Sequence, residues 1–451
     1  MGSGFLRYRR TLAILAIGLI AAIGSPAPVA AKAPVRPHPL MAQPRFMSLH
    51  GLQLPLTPAQ CLAFGLTCMG PPEFTKAYNL GPLYKKGLDG RGRTIVIVDS
   101  FGSPTIREDM AVWDAEFGLP PVSLQVISPA GSVPFDPTNG DMLSWAGETT
   151  LDVEMAHSIA PGAKILLVTT PVSETEGVQG FPEMMFSENY VIDHGLGDVI
   201  SQSFAAVEET FPSRQSILDL RGAFKNAYRH DVTVVAGSGD TGATGPFLDL
   251  SCCYAQQVVA WPASDPLVTA LGGTRVHLDV AGNRTSPDTV WNDFGAPGGG
   301  KSSVFSRPEF QDGVAKVVGR SRGVPDISMA SFCFGAWFYS TFDPNPDFQG
   351  WGLTCGTSEA SPLFSGIVAI ADQAAGKRLG FLNDRLYELL GNRHTGLVDV
   401  TSGNNTFAGV QGFEAGPGYD LASGLGTLDG TLLVKSLAEK GGNSQDGSQM
   451  T

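Results

Sequence analysis

The chain has 451 residues, 43% of them hydrophobic and 16% charged, a composition that supports a large buried core and excludes a wholly disordered chain. Its formal charge of −13 and pI near 5.0 argue against nucleic acid or an anionic membrane as partner, because either needs a clustered positive face. Acidic residues outnumber basic ones, 43 to 30, which is compatible with an acid habitat without establishing one.

The N-terminus reads as a secretory signal peptide over residues 1–31. Arg7, Arg9 and Arg10 precede an apolar run from Leu12 to Ile23, and the small residues Ala30 and Ala31 offer a cleavage point. That run is shorter than the ~20 residues needed to span a bilayer, so the expected product is a secreted, extracellular chain with no membrane partner after cleavage. Residues 32–75 are rich in proline and lack sustained periodicity; they read as a short lead-in. Residues 438–451 read as a disordered tail, with the polar stretch GGNSQDGSQMT running from Gly441.

Between these ends, short β-branched runs alternate with amphipathic stretches, the pattern of a parallel sheet covered by helices. Strands are expected at 94–99 (TIVIVD), 164–169 (KILLVT), 198–204 (DVISQSF) and 232–239 (VTVVAGSG). Helices are expected near 106–116, 142–158, 181–194, 213–229 and 359–376. In such folds functional side chains gather where strands end and helices begin.

Export permits disulfides among Cys61, Cys68, Cys252, Cys253, Cys333 and Cys355. Cys61 and Cys68 are spaced to close a small loop, whereas the neighbours Cys252 and Cys253 reach separate partners more easily than each other. The remaining connectivity is open.

Three segments carry chemistry. In GTSEASPLFSGIVAIADQ (356–373), Ser358 stands between a glycine turn and an apolar helix, where free amides and the helix dipole can face a developing oxyanion. A plain helix cap is the alternative use of such a serine. In GETTLDVEMAHSIAPGAKI (147–165), Glu148 and Asp152 lie one turn apart and about 40° from each other on one helical face. His157 is nine residues beyond Glu148 and faces nearly the opposite way. In VTVVAGSGDTG (232–242), Asp240 sits in a glycine-rich turn that ends a strand, where it could also serve as a simple turn cap.

Taken in order, these segments resemble the motifs of the sedolisin, or serine-carboxyl peptidase, family: G-T-S-x-A-x-P, E-x-x-x-D on a helix, and S-G-D-x-G. The resemblance spans about 75–437 and implies a peptidase domain over 76–437 with a subtilisin-like α/β fold, a mostly parallel central sheet flanked by helices. It assigns Ser358 as nucleophile, Glu148 as general base, Asp152 as its partner and Asp240 as oxyanion acid. Two neighbouring carboxyls cannot both ionise cheaply, so they share a proton, and one can take the serine proton at acid pH. A protonated Asp240 donates to the oxyanion, whereas an ionised one repels it.

GLVDVTSGNN (396–405) and EAGPGYDLASGLGTLDG (414–430) resemble the family's calcium segments. That resemblance implies one structural Ca²⁺ held by the carboxylates of Asp399 and Asp420 and the carbonyls of Val400, Gly416 and Gly418. It departs from the family in three places: a lead-in too short for a large prodomain, Asp99 where a glutamate is frequent, and Phe204 where a tryptophan is common.

The reading is therefore a secreted, acid-acting serine-carboxyl endopeptidase, monomeric, with protein or peptide substrates. The alternatives are a tripeptidyl exopeptidase of the same family, a catalytically silent binding protein on this scaffold, and a subtilisin-like enzyme using Asp99 and His157 at neutral pH.

Overall fold

A computed structural model describes residues 54–392 and 394–440. The expected signal peptide, the start of the lead-in and the tail from 441 lie outside the described residues.

Eight strands form one sheet: β1 (Thr94–Ser100), β2 (Ser123–Ile127), β3 (Lys164–Thr170), β4 (Val199–Gln202), β5 (Thr233–Gly237), β6 (Thr269–Arg275), β7 (Thr289–Val290) and β8 (Ile327–Ala330). The spatial order is β8-β6-β5-β4-β1-β3-β2. Every pairing along that path is parallel; only β7 joins antiparallel, at the end of β6. Parallel strands need long crossovers, and the crossovers among β1 to β5 are helical, whereas the one from β5 to β6 is a long loop without a helix.

The alternation along each strand sorts its side chains between two cores. Ile95 and Ile97 of β1, with Ile165 and Leu167 of β3, enter one apolar cluster. Val96, Val98, Leu166 and Val168 enter the other. No residue from 95 to 98 is exposed, and this part of the strand is apolar without alternation because both faces of the sheet are buried.

In chain order the main helices are α1 (Pro58–Ala63), α2 (Pro71–Ala77), α3 (Ile106–Phe117), α4 (Gly140–Ile159), α5 (Phe181–Asp193), α6 (Arg214–Leu220), α7 (Gly222–Arg229), α8 (Thr357–Ala375) and α9 (Gly430–Lys440). Asn139 caps α4 by accepting from the amides of Asp141 and Met142. α8 and α4 pack side by side. At Gly366 an added Cβ would stand 2.6 Å from Cβ of Ile159, so glycine sets how closely these helices approach. Ser361 Oγ meets Ser201 Oγ at 3.0 Å and ties α8 to β4.

Three expectations change. The described part of the lead-in is not a separate segment: Leu56, Cys61, Met69 and Phe74 are buried in the main core, and the boundary at 75 cuts through α2. Proline at the first turn of both α1 and α2, with a capping box at Thr57, starts helices too short to show a period. At the other end α9 runs past the expected boundary of 437 to Lys440. The cysteines also depart in part. Cys61 pairs with Cys68 as expected, but Cys252 pairs with Cys253, because Cys333 and Cys355 are joined to each other, Cα atoms 4.3 Å apart.

Candidate active site

α4 brings Glu148 and Asp152 to the flank of α8, and both are fully buried. α8 begins at Thr357 after Gly356, whose φ of +126° lies in the glycine-favoured region, so the chain leaves its preceding strand and turns sharply into the helix. Ser358 is therefore in the first turn of α8, 1% exposed. The Ser238–Asp240 turn at the end of β5 lies against the same turn. At Gly237 an added Cβ would meet Thr357 Oγ1 at 3.0 Å.

Hydrogen bonds lock these pieces together. Asp240 Oδ1 accepts from the Thr357 amide at 2.7 Å and from Thr357 Oγ1 at 2.9 Å. Thr357 Oγ1 in turn accepts from the Gly239 amide at 3.0 Å. Asp152 Oδ1 accepts from Ser203 Oγ at 2.8 Å, and the same hydroxyl lies 3.3 Å from the Ser358 carbonyl oxygen. Glu148 contrasts with these. Neither of its carboxyl oxygens, nor Ser358 Oγ, has a partner at normal hydrogen-bond geometry. The serine hydroxyl is still close enough to favour the ionised form of Glu148. Catalytic contacts are often this loose before substrate binds.

Burial dominates the electrostatics. It pushes Glu148 well above the ordinary carboxyl range, and the charges of Asp152, Asp99 and Asp240 add to it. Asp152 is raised by burial and then by Asp99, with the Ser203 hydrogen bond opposing. Asp99, at the end of β1, is pushed up to about 7 by burial. These three carboxyls titrate as one unit that holds protons a free acid would have lost. Asp240 is pushed up to about 6, again by burial, with its Thr357 bonds opposing. Part of its side chain reaches solvent, but protein atoms surround the carboxyl closely enough to disfavour the charge.

His157 takes no part. Its Nε2 lies 3.0 Å from Pro120 O and 3.1 Å from Asp114 Oδ1, on the far side of α4 from Glu148. The arrangement Asp99–His157–Ser358 is therefore excluded, as the helical spacing predicts. Asp99 belongs with the carboxyls. Phe204 is buried among Phe181 and its aromatic neighbours, its ring centroid 5.9 Å from that of Phe181.

Three residues escaped the sequence reading. Thr357 and Ser203 were visible only as letters inside GTS and SQSF, and nothing in their spacing marks them as partners of Asp240 and Asp152. Glu359 was likewise unremarked; it is fully buried beside Ser358 and pushed well above its ordinary range by burial and by Asp240.

The residues named for calcium also converge. Short strands at Leu397–Val398 and Thr427–Leu428 pair and bring Asp399 beside the 416–420 loop. Asp399 Oδ2 accepts from the Gly418 amide, and Asp420 Oδ2 from the Gly416 amide, each at 2.9 Å. Asp420 Oδ1 also accepts from the amides of Ala422 and Ser423. Val400 is buried next to them. Among the described residues no three acidic, histidine or cysteine side chains cluster as metal ligands, so a cation here would depend on main-chain carbonyls as well as these two carboxylates.

Fold and site together define a subtilisin-like α/β protein in which carboxyls, not a histidine, surround a serine at a helix start. No protein-family model matches the chain. It is 31% identical to kumamolisin of Bacillus sp. (strain MN-32) over 394 residues, covering 84% of this chain and 65% of that one. It is 31% identical to sedolisin of Pseudomonas sp. (strain 101) over 401 residues, covering 85% and 64%. The solved structure of Pseudomonas sedolisin, a serine-carboxyl proteinase complexed with two molecules of pseudo-iodotyrostatin, superposes with a TM-score of 0.70 at 27% identity, covering 83% of this chain and 99% of that one. Over most of its length the chain is thus similar to peptidases of the sedolisin family. It spans just under two thirds of the length of the curated relatives it matches.

Proposed function

We propose that this chain is a secreted, acid-acting serine-carboxyl endopeptidase that hydrolyses peptide bonds of proteins or peptides. The observation that carries the reading is the buried Glu148 carboxyl, unpartnered beside an equally unpartnered Ser358 hydroxyl. A buried polar atom with no bond is costly, and the two would satisfy each other as the reaction begins.

Glu148, ionised and oriented on α4 next to Asp152, takes the proton of Ser358 Oγ as that oxygen attacks the scissile carbonyl. The carbonyl π electrons move to oxygen. Asp240 uses Oδ1 for Thr357, so when protonated it carries its proton on Oδ2 and donates to the oxyanion, helped by the positive end of α8. Collapse of the intermediate breaks the C–N bond, and Glu148 returns the proton to the leaving amine. Water then repeats the sequence on the ester, freeing Ser358.

The pH dependence follows from the shifts. As pH rises through about 6, Asp240 loses the proton it donates, so activity falls on the alkaline side. As pH falls below the first ionisation of the Asp99–Glu148–Asp152 unit, the base is protonated and activity falls again. Cleavage of an unfolded protein from pH 2 to 8 by wild type, Ser358→Ala, Glu148→Ala and His157→Ala tests the reading. An acid maximum lost in the first two variants and kept in the third is expected; full activity of Glu148→Ala, or a maximum near pH 8, overturns it.

We also propose one structural calcium ion at Asp399 and Asp420 with the carbonyls of Val400, Gly416 and Gly418. The donors are all hard oxygens, and two carboxylates already converge on one loop. The ion would supply charge neutralisation and hold the last loops to the core; no step of the reaction passes through it. Secretion rests on the sequence of the signal peptide. Among the described residues no helix is long and apolar enough to cross a membrane.

A further inference from the structure

A cavity of about 400 Å³, which Ser358 does not line, is bounded by Asp141, Glu176, Val178, Leu248, Asp249 and Leu250 among others. Its walls come from the segments that carry the active site: Asp141 from the first turn of α4, residues 175–179 from the loop after β3, and residues 248–250 from the loop after the Asp240 turn. Asp141 precedes Glu148 by seven residues, nearly two turns, so the two share a face of α4 about 10 Å apart along its axis. An extended peptide advances about 3.3 Å per residue. A substrate held at Ser358 and running along α4 would therefore reach the cavity about three residues from the scissile bond.

The lining combines acid with apolar surface. Glu176 is 3% exposed, and its Oε2 accepts from the Val207 amide at 2.8 Å and from Thr210 Oγ1 at 2.9 Å. Its Oε1, at the cavity, has no partner. Asp249 binds Ser251 through Oδ1 alone, which leaves Oδ2 available. Leu248 is 63% exposed at the rim, an unusual place for a large apolar side chain unless something covers it. A side chain with a long aliphatic stem and a cationic head matches this lining, stem against Val178, Leu248 and Leu250, head among the carboxyls.

Building on the peptidase reading, we infer that this cavity is a specificity subsite for a lysine or arginine side chain of the substrate, with Asp249 and Asp141 as the recognising carboxyls. Asp249 is held below the usual carboxyl range by its Ser251 hydrogen bonds, so it stays charged in acid, where a serine-carboxyl site works. The mouth of the cavity is wet, which limits what one charge pair contributes.

The test uses fluorogenic peptides that differ only by lysine or norleucine, placed in turn at each position within four residues of the scissile bond. Wild type is expected to prefer lysine about fivefold to tenfold in kcat/KM at one position, through KM. Asp249→Asn, at an exposed loop site, should bring that ratio close to one while leaving norleucine peptides unaffected. Binding of the same peptides to Ser358→Ala, followed by fluorescence anisotropy, reports the subsite without chemistry. Ser358-dependent cleavage with no charge preference at any position, or a preference that survives the Asp141→Asn, Asp249→Asn double variant, overturns the subsite and leaves the peptidase reading standing. Charge-selective binding without cleavage of any peptide overturns the peptidase reading and keeps the subsite.

Discussion

Two faces of one helix carry buried acid chemistry of opposite kinds. On the face of α4 toward α8, Glu148 and Asp152 are surrounded by further carboxyls, Asp99 and Asp240, and have no cation near them. On the opposite face His157 lies against Asp114 and the Pro120 carbonyl, a self-contained pair that holds the chain between α3 and β2 to the helix. Both faces are closed to water. Each face leaves buried polar atoms without a hydrogen bond, His157 Nδ1 on one and Glu148 with Ser358 Oγ on the other, but only the second sets a carboxyl beside a serine hydroxyl at a helix start.

The largest break in that comparison comes from the carboxyl face. Ser358→Ala and Glu148→Ala should each lower kcat/KM by about 10⁴-fold, whereas His157→Ala should stay within a few-fold of wild type; steady-state kinetics at acid pH decide it. Next, Asp240→Ala should cost about 10² to 10³ in kcat, the loss typical of one oxyanion donor. Asp240→Asn cannot ionise, so its pH–rate profile should lose the alkaline limb near 6.

Stability should follow the same carboxyls. Asp240 and Asp99 have folded values of about 6 and about 7, above those of free aspartates. The folded state thus binds more protons than the unfolded one through this window. Their contribution is fully present below about pH 4 and is lost as pH rises through 6 and 7. Thermal unfolding should therefore show lower stability at pH 8 than at pH 4, by on the order of 3 kcal/mol. A Tm that rises over this range contradicts the assignment.

On the histidine face, His157→Ala should lower stability by about 2 kcal/mol, because it strands the buried Asp114 and leaves a cavity, with little change in the pH–rate profile. The smallest effect belongs to the C-terminal loops. Chelation should lower Tm by about 2–4 °C and added Ca²⁺ restore it, while Asp420→Ala should show no response to chelator.

Much of this was legible before any coordinates. The four expected strands are β1, β3, β4 and β5 of the sheet, and the helix expected at 142–158 is the body of α4. Helical spacing alone set Glu148 with Asp152 and against His157. Four strands of the sheet escaped, among them the two-residue Thr289–Val290. Ser123–Ile127 lies at the sheet edge with exposed and half-exposed side chains, so it lacks an apolar run; Thr269–Arg275 carries two glycines; and Ile327–Ala330 is only a four-residue stretch. The helix expected at 213–229 is broken in two at Arg221.

The sequence by itself determined the fold class, the serine at a helix start and the one-turn spacing of the two carboxyls, because strand and helix periods and local spacing are properties of neighbouring residues. Only the tertiary structure decided which distant groups share the site. Asp99 and Ser203 come from the ends of adjacent strands, and Thr357 meets Asp240 across 117 positions of chain. It also decided the charge state, since burial that raises Glu148, Asp152 and Asp240 exists only after α4, α8 and β5 have packed together. The same packing put an acidic cavity about two helical turns from Glu148, a placement that no stretch of letters contains.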